Sequence, residues 1–429
     1  MTAASEINLN CLCRTLQNRL LQPGLAAGRP HLFSASPVFI AESDFDAIKN
    51  AVHTLHRMSM LHGYQESALG RAPAIAAHSF GPQGAFMGYD FHIGDDGPRL
   101  IEINTNAGGA LLHAAAVRAH RACCEPLDWM FREPGAPQDF DAVVIDMFKS
   151  EWRAQRGDAA LRSIAIVDDG PQDQYLAPEF ELARELFENA GIRAVVCDPT
   201  ELEWRNGKLW HPSLAHDMPV DLVYNRLTDF YFSMQEHSAL RAAYAAGAAV
   251  VTPHPRAHAL HADKRNLVAL SDDAQLKAWG ASEPDREVIR QAVPRTQRVT
   301  ESNADDLWAD RRRLFFKPAG GYGSKAAYRG EKLTRRVWGD ILEGDFVAQS
   351  FVAPSERLVS VDGEAIRLKL DVRAYAYAGQ VQLLAARTYS GQTTNFRTAG
   401  GGFSPVVVLP SLTPPQEPID EALSRSCAC

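Results

Sequence analysis

An Asp, a Glu and an Asn lie within one short segment, residues 87–109 (MGYDFHIGDDGPRLIEINTNAGG), at spacings that a strand hairpin would bring together. YDFHI and RLIEIN alternate polar and apolar residues around the turn-forming GDDGP, which predicts a β-hairpin with its turn at 95–97. Glu102 and Asn104 then share a strand face, and Asp90 on the partner strand can face the same way. Three oxygen ligands with positions left for water and phosphate suit Mg²⁺ better than Zn²⁺.

The alternation in this hairpin also sets the expected core. Ile101 and Ile103 are predicted to point into the interior, opposite Glu102 and Asn104. The alternative interpretation is an amphipathic hairpin with solvated acids. The metal site is favoured because the two polar residues interrupt an apolar strand and run directly into a glycine-containing loop, residues 105–109.

A second segment, LFFKPAGGYGSKA, has the residue types that hold phosphate. Lys317 ends an apolar strand and is followed by Gly320, Gly321 and Gly323. Glycines let successive backbone N–H groups turn inward around a phosphate, and the lysine adds a mobile positive charge. The segment does not match the Walker pattern and is only a partial dinucleotide fingerprint, so a glycine hairpin with a surface lysine stays open.

The order of these features resembles the ATP-grasp superfamily over most of the chain. Lys264 starts a helix 53 residues before Lys317, and the strand DFVAQSFVAPSE follows about 30 residues after it. The resemblance implies that both lysines contact ATP phosphates, that the glycine loop closes over them, and that a hinge reads adenine. The hinge residues are Gln349, Ser350 and Val352, and Glu356 is the expected ribose contact.

The later stretch KLDVRAYAYAGQVQLLAARTYSGQTTNFRTAGGGF resembles the D-x-R hairpin of the same superfamily. The resemblance implies that Arg373, Arg387 and Asn395 face the phosphates and the reacting carboxylate. The alternative is a solvent-facing strand hairpin whose arginines have no catalytic role.

The D…E-x-N metal motif precedes both lysines here, whereas it comes last in a standard ATP-grasp chain. This order resembles the circularly permuted ATP-grasp ligases, which include glutathionylspermidine synthetase. That synthetase has an arginine two residues before the metal Asp, a position occupied here by Gly88. A contact with the reacting acyl group is therefore missing or supplied from elsewhere.

The predicted fold combines α/β and α+β parts: a circularly permuted ATP-grasp fold with a Rossmann-like pre-ATP-grasp domain. Short apolar strands alternate with helices over about 160–257, which indicates a parallel sheet. Within this stretch EWRNGKLW has the Asn-Gly signal of a hairpin. The predicted divisions are a metal-strand segment at 1–158, the Rossmann-like domain at 159–257, the lysine and glycine-loop part at 258–410, and a flexible tail at 411–429.

Composition indicates an ordinary globular protein of two or three domains, since 429 residues with 46% hydrophobic content exceed one compact core. A net charge of -8 argues against nucleic acid as the main partner. The N-terminus lacks a signal-peptide pattern, and no apolar run reaches a membrane-span length. Seven scattered cysteines do not form a disulfide framework. We therefore expect a cytoplasmic protein; a homodimer is compatible with the sequence.

The resemblance implies an ATP-dependent carboxylate–amine ligase that forms an acyl phosphate and uses ATP with Mg²⁺, two ions being expected and Mn²⁺ being a substitute. The expected substrates are small molecules or peptides, with an amino acid, a small peptide or a polyamine as the amine. Two alternatives stay open: a non-catalytic ATP-binding regulatory protein, and a phosphotransferase that uses the same ATP site.

Overall fold

The structure of the protein is a computed structural model. It describes residues 25, 28–34, 36–123, 139–320, 326–361, 364–391, 394–395 and 397–409.

The strands of the described residues alternate with helices through the middle of the chain and follow one another closely near its end. The strands are β1 Val38–Ala41, β2 Met87–Gly94, β3 Gly97–Asn104, β4 Ser163–Val167, β5 Arg193–Cys197, β6 Glu203–Arg205, β7 Lys208–Trp210, β8 Leu222–Asn225, β9 Val250–Thr252, β10 Thr296–Arg298, β11 Leu314–Pro318, β12 Tyr328–Arg329, β13 Phe346–Ser350, β14 Ser355–Val361, β15 Glu364–Tyr377, β16 Gln380–Tyr389 and β17 Gly402–Leu409. The α-helices are α1 Glu42–Met60, α2 His62–Leu69, α3 Ala110–Cys123, α4 Phe140–Arg156, α5 Ala177–Asn189, α6 Ser238–Ala245, α7 Pro255–His261, α8 Arg265–Leu270, α9 Asp273–Ala278, α10 Glu283–Ala292, α11 Ala304–Asp310 and α12 Arg335–Glu343. Short 3₁₀ helices span Ala74–Ala77, Pro171–Asp173, Pro199–Glu201, Gln235–His237, Glu301–Asn303, Arg311–Arg313 and Gly330–Lys332.

The largest sheet carries most of the chemistry-bearing residues. Its strand order is β1-β17-β16-β15-β2-β3, and β14 also pairs with β15. Adjacent strands in this sheet are antiparallel, except that β1 and β17 are parallel. One face packs on α1, whose apolar residues Phe45, Ile48, Val52 and Leu55 recur at helical spacing and are buried. Each such side chain contributes about 2 kcal/mol through burial. The sheet is thus anchored on a rigid layer.

The predicted β2–β3 hairpin is confirmed, with its turn at residues 94–97 and Asp90 opposite Glu102. A β-bulge follows this pair, because Phe91 lies opposite Leu100 and Ile101 is the extra residue. Leu100 is therefore buried in the core, and Ile101 is only partly buried and lines a cavity. The prediction that Ile101 points into the core was wrong, and the bulge is the reason.

A four-stranded parallel sheet with the order β5-β4-β8-β9 lies within residues 163–252. Its strands are apolar and largely buried, α5 connects β4 to β5, and α6 precedes β9. The predicted Asn-Gly hairpin is confirmed as β6–β7. Asn206 and Gly207 both have positive φ (53° and 70°), as a two-residue hairpin turn requires.

A third sheet, β10-β13-β11-β12, is antiparallel and is covered by α12. Phe316, Trp338 and Ile341 form its core, which leaves Lys317 and Gln349 on strands whose other residues are fixed by packing. Among the described residues, no helix combines the length and apolar content needed to cross a membrane.

Candidate active site

A cavity of about 550 Å³ lies where the large sheet meets the β10–β13 sheet. Strands β2, β3, β15 and β16 supply one wall, and β11 and β13 supply the other. Its charged and titratable lining residues are Asp90, His92, Glu102, Lys264, Lys317, Arg329, Lys332, Lys369, Asp371, Arg387 and Tyr389. Segments that are distant along the chain therefore share one space.

The acidic corner of the cavity comes from the β2–β3 hairpin. Asp90 and Glu102 lie opposite each other, and Asn104 Nδ2 donates to Asp90 Oδ2 at 3.2 Å and to Glu102 Oε1 at 3.3 Å. The three residues predicted as metal ligands are thus brought together. Burial would raise the pKa of Glu102, but Lys264 and Lys317 outweigh it and lower that pKa, so Glu102 is ionised.

Two arginines hold Asp90, which is 2% exposed. Arg373 lies opposite Asp90 on β15 and donates from Nε to Oδ1 at 2.6 Å and from Nη2 to Oδ2 at 2.7 Å. Arg387 Nη2 donates to Oδ2 at 2.8 Å. Burial alone would raise the pKa of Asp90, yet the two guanidinium groups lower it to about 2. Asp90 is therefore charged at neutral pH.

Asp371 is a site residue that the sequence reasoning did not single out. It lies opposite Arg387, which donates from Nε to Asp371 Oδ1 at 2.7 Å, and Thr394 Oγ1 donates to Oδ2 at 2.5 Å. The available signal was the D-x-R stretch, because residues two apart on β15 share a face and place Asp371 beside Arg373.

The two predicted phosphate lysines line the same cavity. Lys317 is 5% exposed, and its Nζ donates to the carbonyl of Ile101 at 2.8 Å and to Gln349 Oε1 at 2.9 Å. Burial lowers the pKa of Lys317 to about 8, with Lys264 acting in the same direction and Glu102 opposing it. Lys264 is the N-cap residue of α8 and is also buried.

The predicted adenine hinge forms the far wall of the cavity. Gln349, Ser350 and Val352 line it, and His92 Nδ1 lies 2.8 Å from the carbonyl oxygen of Val352. The backbone N–H of Ser350 donates to the carbonyl of Arg295 at 2.8 Å. The hinge is therefore fixed on both sides.

No protein-family model matches the chain, and no curated protein sequence matches it. Several solved structures are similar to the chain. A glutathione synthetase-like effector from Globodera pallida, in its apo form, is 14% identical and superposes with a TM-score of 0.57 over 88% of this chain and 90% of that one. The chain shares the fold of that protein. The resemblance to ATP-grasp proteins that the sequence motifs predicted is confirmed, and the circular permutation stays a prediction.

Two more distant structures are also similar to this chain. A putative gamma-glutamylcysteine synthetase from Methylobacillus flagellatus is 9% identical over 81% of this chain and 83% of that one, with a TM-score of 0.45. The ATP-grasp ligase PsnB, in complex with a minimal precursor, Mg and ADP, is 16% identical over 57% and 88%, with a TM-score of 0.30.

Some predicted site residues do not line the cavity. Glu356 lies on β14 opposite Lys369 and is absent from the cavity lining, because its carboxylate pairs with Arg367 at 3.2 Å. Asn395 Nδ2 donates to the carbonyl of Ser390 at 2.8 Å and shapes its own loop. Arg373 lies behind Asp90.

The glycine loop is only partly described. Gly320 follows β11 and is exposed, and no atom of the described residues lies within 4 Å of the position its Cβ would take. Gly321 and Gly323 lie outside the described residues, so their assignment stays a prediction.

The donor set of the acidic corner fits Mg²⁺ in part. The described residues include no group of three His, Cys, Asp or Glu side chains able to hold a metal. Both oxygens of Asp90 already accept hydrogen bonds from arginines. Glu102 faces the cavity, and Asn104 turns its amide nitrogen, rather than its oxygen, toward Glu102 and Asp90. One carboxylate with substrate phosphate oxygens and water is a usual Mg²⁺ arrangement, so Glu102 fits the ion. Asn104 would join it only with its amide rotated so that Oδ1 faces the ion.

Gly88 explains how Arg373 reaches Asp90. A Cβ at residue 88 would lie 2.5 Å from the Cβ of Ala107 and 3.2 Å from Nε of Arg373. The arginine expected at this position is thus absent, and the space beside it holds a guanidinium from the neighbouring strand.

Proposed function

We propose that the protein is an ATP-dependent carboxylate–amine ligase that works through an acyl-phosphate intermediate. The observation that carries the proposal is the shared cavity. Glu102 from the hairpin, Lys264 and Lys317 from two later segments, and Arg387 from β16 line one space of about 550 Å³. This size lies in the range of ligand sites, and the mixture of charges suits a triphosphate beside a metal ion.

ATP would lie along the wall formed by β11 and β13. Lys264 and Lys317 would offset the phosphate charge, and the backbone of residues 349–352 would contact adenine. The same wall provides apolar surface from Phe315 and Phe351, and the guanidinium of Arg329 stacks on the Phe351 ring at 4.4 Å. The glycine-loop assignment, 320–323, belongs to the same proposal.

Glu102 and Asn104 would hold Mg²⁺, and Asp90 is the third ligand proposed from the sequence. Bound there, the ion would neutralise charge on the phosphate oxygens. One or two ions are compatible with this chemistry, and Mn²⁺ has similar oxygen preferences.

The proposed reaction has two steps. A substrate carboxylate oxygen attacks the γ-phosphorus of ATP, the bond from that phosphorus to the ADP oxygen breaks, and an acyl phosphate forms. The amine nitrogen then attacks the acyl carbon, the carbon–oxygen bond to phosphate breaks, and the nitrogen loses a proton to solvent. The guanidinium of Arg387 would stabilise the oxyanion of the tetrahedral intermediate. No nucleophilic side chain is required.

We also propose the finer organisation predicted from the sequence. The acidic hairpin precedes both lysines along the chain, as a circular permutation of the ATP-grasp fold requires. The parallel sheet within residues 163–252 would be the Rossmann-like pre-ATP-grasp domain. The substrates would be a peptide-like carboxylate and an amino acid, a small peptide or a polyamine.

Trapping with hydroxylamine tests the proposal. Purified protein is incubated with ATP, Mg²⁺ and pools of amino acids and peptides, and ADP, phosphate and hydroxamate are measured. An acyl hydroxamate supports a ligase. A stable phosphorylated product identifies a phosphotransferase, and ATP binding without turnover identifies a regulatory protein.

The variant Glu102→Ala tests the metal assignment in the same assay. ATP-dependent phosphate release is expected to be lost while the thermal unfolding transition stays cooperative. An unchanged rate in the folded variant would reject the assignment.

A further inference from the structure

A buried row of alternating charges crosses three neighbouring strands beside the cavity. Its members, in spatial order, are Arg373, Asp90, Arg387, Asp371 and Thr394. The strand register explains the row, because Arg373 lies opposite Asp90 and Arg387 lies opposite Asp371. Directly opposed residues on adjacent strands are close enough to pair.

Asp90 cannot balance both guanidinium groups alone. Its Oδ2 accepts from Nη2 of Arg373 and from Nη2 of Arg387, which places two positive groups against one oxygen. Asp371, 3% exposed, supplies the second negative charge. The row then contains two positive and two negative side chains. This balance lets their mutual attraction offset the desolvation free energy of burying them.

Arg387 is the arginine of the row that lines the cavity, together with Asp90, Asp371 and Thr394, whereas Arg373 does not line it. Its side chain is 15% exposed, against 7% for Arg373. Asp371 accepts from Nε and Asp90 accepts from Nη2, so neither carboxylate engages Nη1. An arginine side chain has many rotamers, and the hydrogen bonds to Asp371 and Asp90 restrict Arg387 to one orientation of its guanidinium plane.

We propose that Asp371 is a positioning residue for the ligase reaction, acting through Arg387. It holds the guanidinium at one orientation toward the reacting groups, and through Thr394 it ties the segment after β16 to the sheet. Lys369, two residues earlier on the same face of β15, makes a parallel contact by donating to the carbonyl of Gly391 at 2.6 Å. The proposal rests on the ligase function proposed above.

The test is a double-mutant cycle with Asp371→Asn and Arg387→Ala, measured as kcat for ligation or for hydroxamate formation. Asp371→Asn keeps the side-chain shape but removes the charge, and we expect kcat to fall 10-fold to 100-fold. Affinity for ADP with Mg²⁺, measured by calorimetry, should change less than threefold. In the Arg387→Ala background, Asp371→Asn should have almost no additional effect, because the residue acts through that arginine.

A matched control separates this role from a general loss of stability. Asp285 pairs with Arg57 between α10 and α1, away from the cavity. Asp285→Asn therefore breaks a more exposed Asp–Arg pair outside the site, and it should lower the unfolding midpoint without changing kcat. Thr394→Val, which keeps the contact between Asp371 and Arg387, should reduce kcat less than Asp371→Asn does.

The outcomes separate the two proposals. If the unmodified protein shows no ATP-dependent turnover with any pool, the ligase function fails and the role of Asp371 fails with it. If turnover is present and Asp371→Asn leaves kcat unchanged, or its effect multiplies with that of Arg387→Ala, only the positioning role is overturned. If Asp371→Asn does not fold, Asp371→Glu provides the test, with a reduced kcat and unchanged ADP affinity expected.

Discussion

Nucleotide binding should depend on the protonation of Lys317 in a way that the structure allows us to calculate. Its ammonium group is buried, and its pKa is lowered from 10.5 to about 8. A phosphate group placed beside Lys317 would favour the charged form and raise that pKa. Binding of ADP with Mg²⁺ should therefore take up protons when the pH is near or above 8.

The magnitude follows from the shifted pKa. Near pH 8 about half of the free protein carries a neutral Lys317, so binding should take up roughly half a proton per nucleotide. Near pH 6.5 the lysine is already charged, and uptake should be close to zero. Above pH 8 the affinity should fall about tenfold per pH unit, or about 1.4 kcal/mol, until the pKa of the complex is reached.

Isothermal titration in two buffers of different ionisation enthalpy measures this uptake directly. The control is Lys317→Gln, which should bind more weakly and take up no protons from this position at either pH. Equal uptake in the variant and in the unmodified protein, or no uptake at pH 8, would refute the argument that Lys317 contacts phosphate.

Two further predictions concern stability. The pKa of Asp90 is 3.8 in the unfolded chain and about 2 in the folded protein. The ion pairs of Asp90 with Arg373 and Arg387 therefore stabilise the fold fully above about pH 4, and this stabilisation is lost as the pH falls through 2. Asp90→Asn should lower the unfolding free energy at pH 7 by about 2 kcal/mol, and urea titrations should show the gap closing between pH 4 and pH 2; a constant gap would contradict this. Gly88→Ala should destabilise by about 1 to 3 kcal/mol, since the new methyl group would meet Ala107 and Arg373. An unchanged urea midpoint would show that this space is larger than the structure indicates.

Local patterns in the sequence predicted local structure well. The β2–β3 hairpin and the Asn206–Gly207 turn were identified because turn residues and period-two alternation act within a few positions. The four parallel strands within 163–252 were also identifiable, since buried parallel strands are continuous apolar runs. Such signals do not depend on what the segment later packs against.

The bulge at Ile101 was not predictable in the same way. Strict alternation places Ile101 in the core. One extra residue in β3 moves the side chains that precede it in the strand to the opposite face of the sheet. The consequence for the site is direct, because the carbonyl of Ile101 accepts a hydrogen bond from Lys317. A backbone irregularity thus connects the acidic hairpin to the lysine segment.

Long-range register accounts for the remaining gaps between sequence and structure. The sequence places Asp371 in a strand but does not show which residue it contacts. Its contact with Arg387 follows from the pairing of β15 with β16. The absence of an arginine at Gly88 suggested a missing positive charge near the reacting groups. The structure instead places Arg373 next to that glycine, on Asp90. The guanidinium of Arg373 therefore occupies the space beside residue 88 and binds Asp90, but it does not line the cavity. The residue that decides the electrostatics of this corner is therefore the glycine, because its missing side chain admits the arginine from the neighbouring strand.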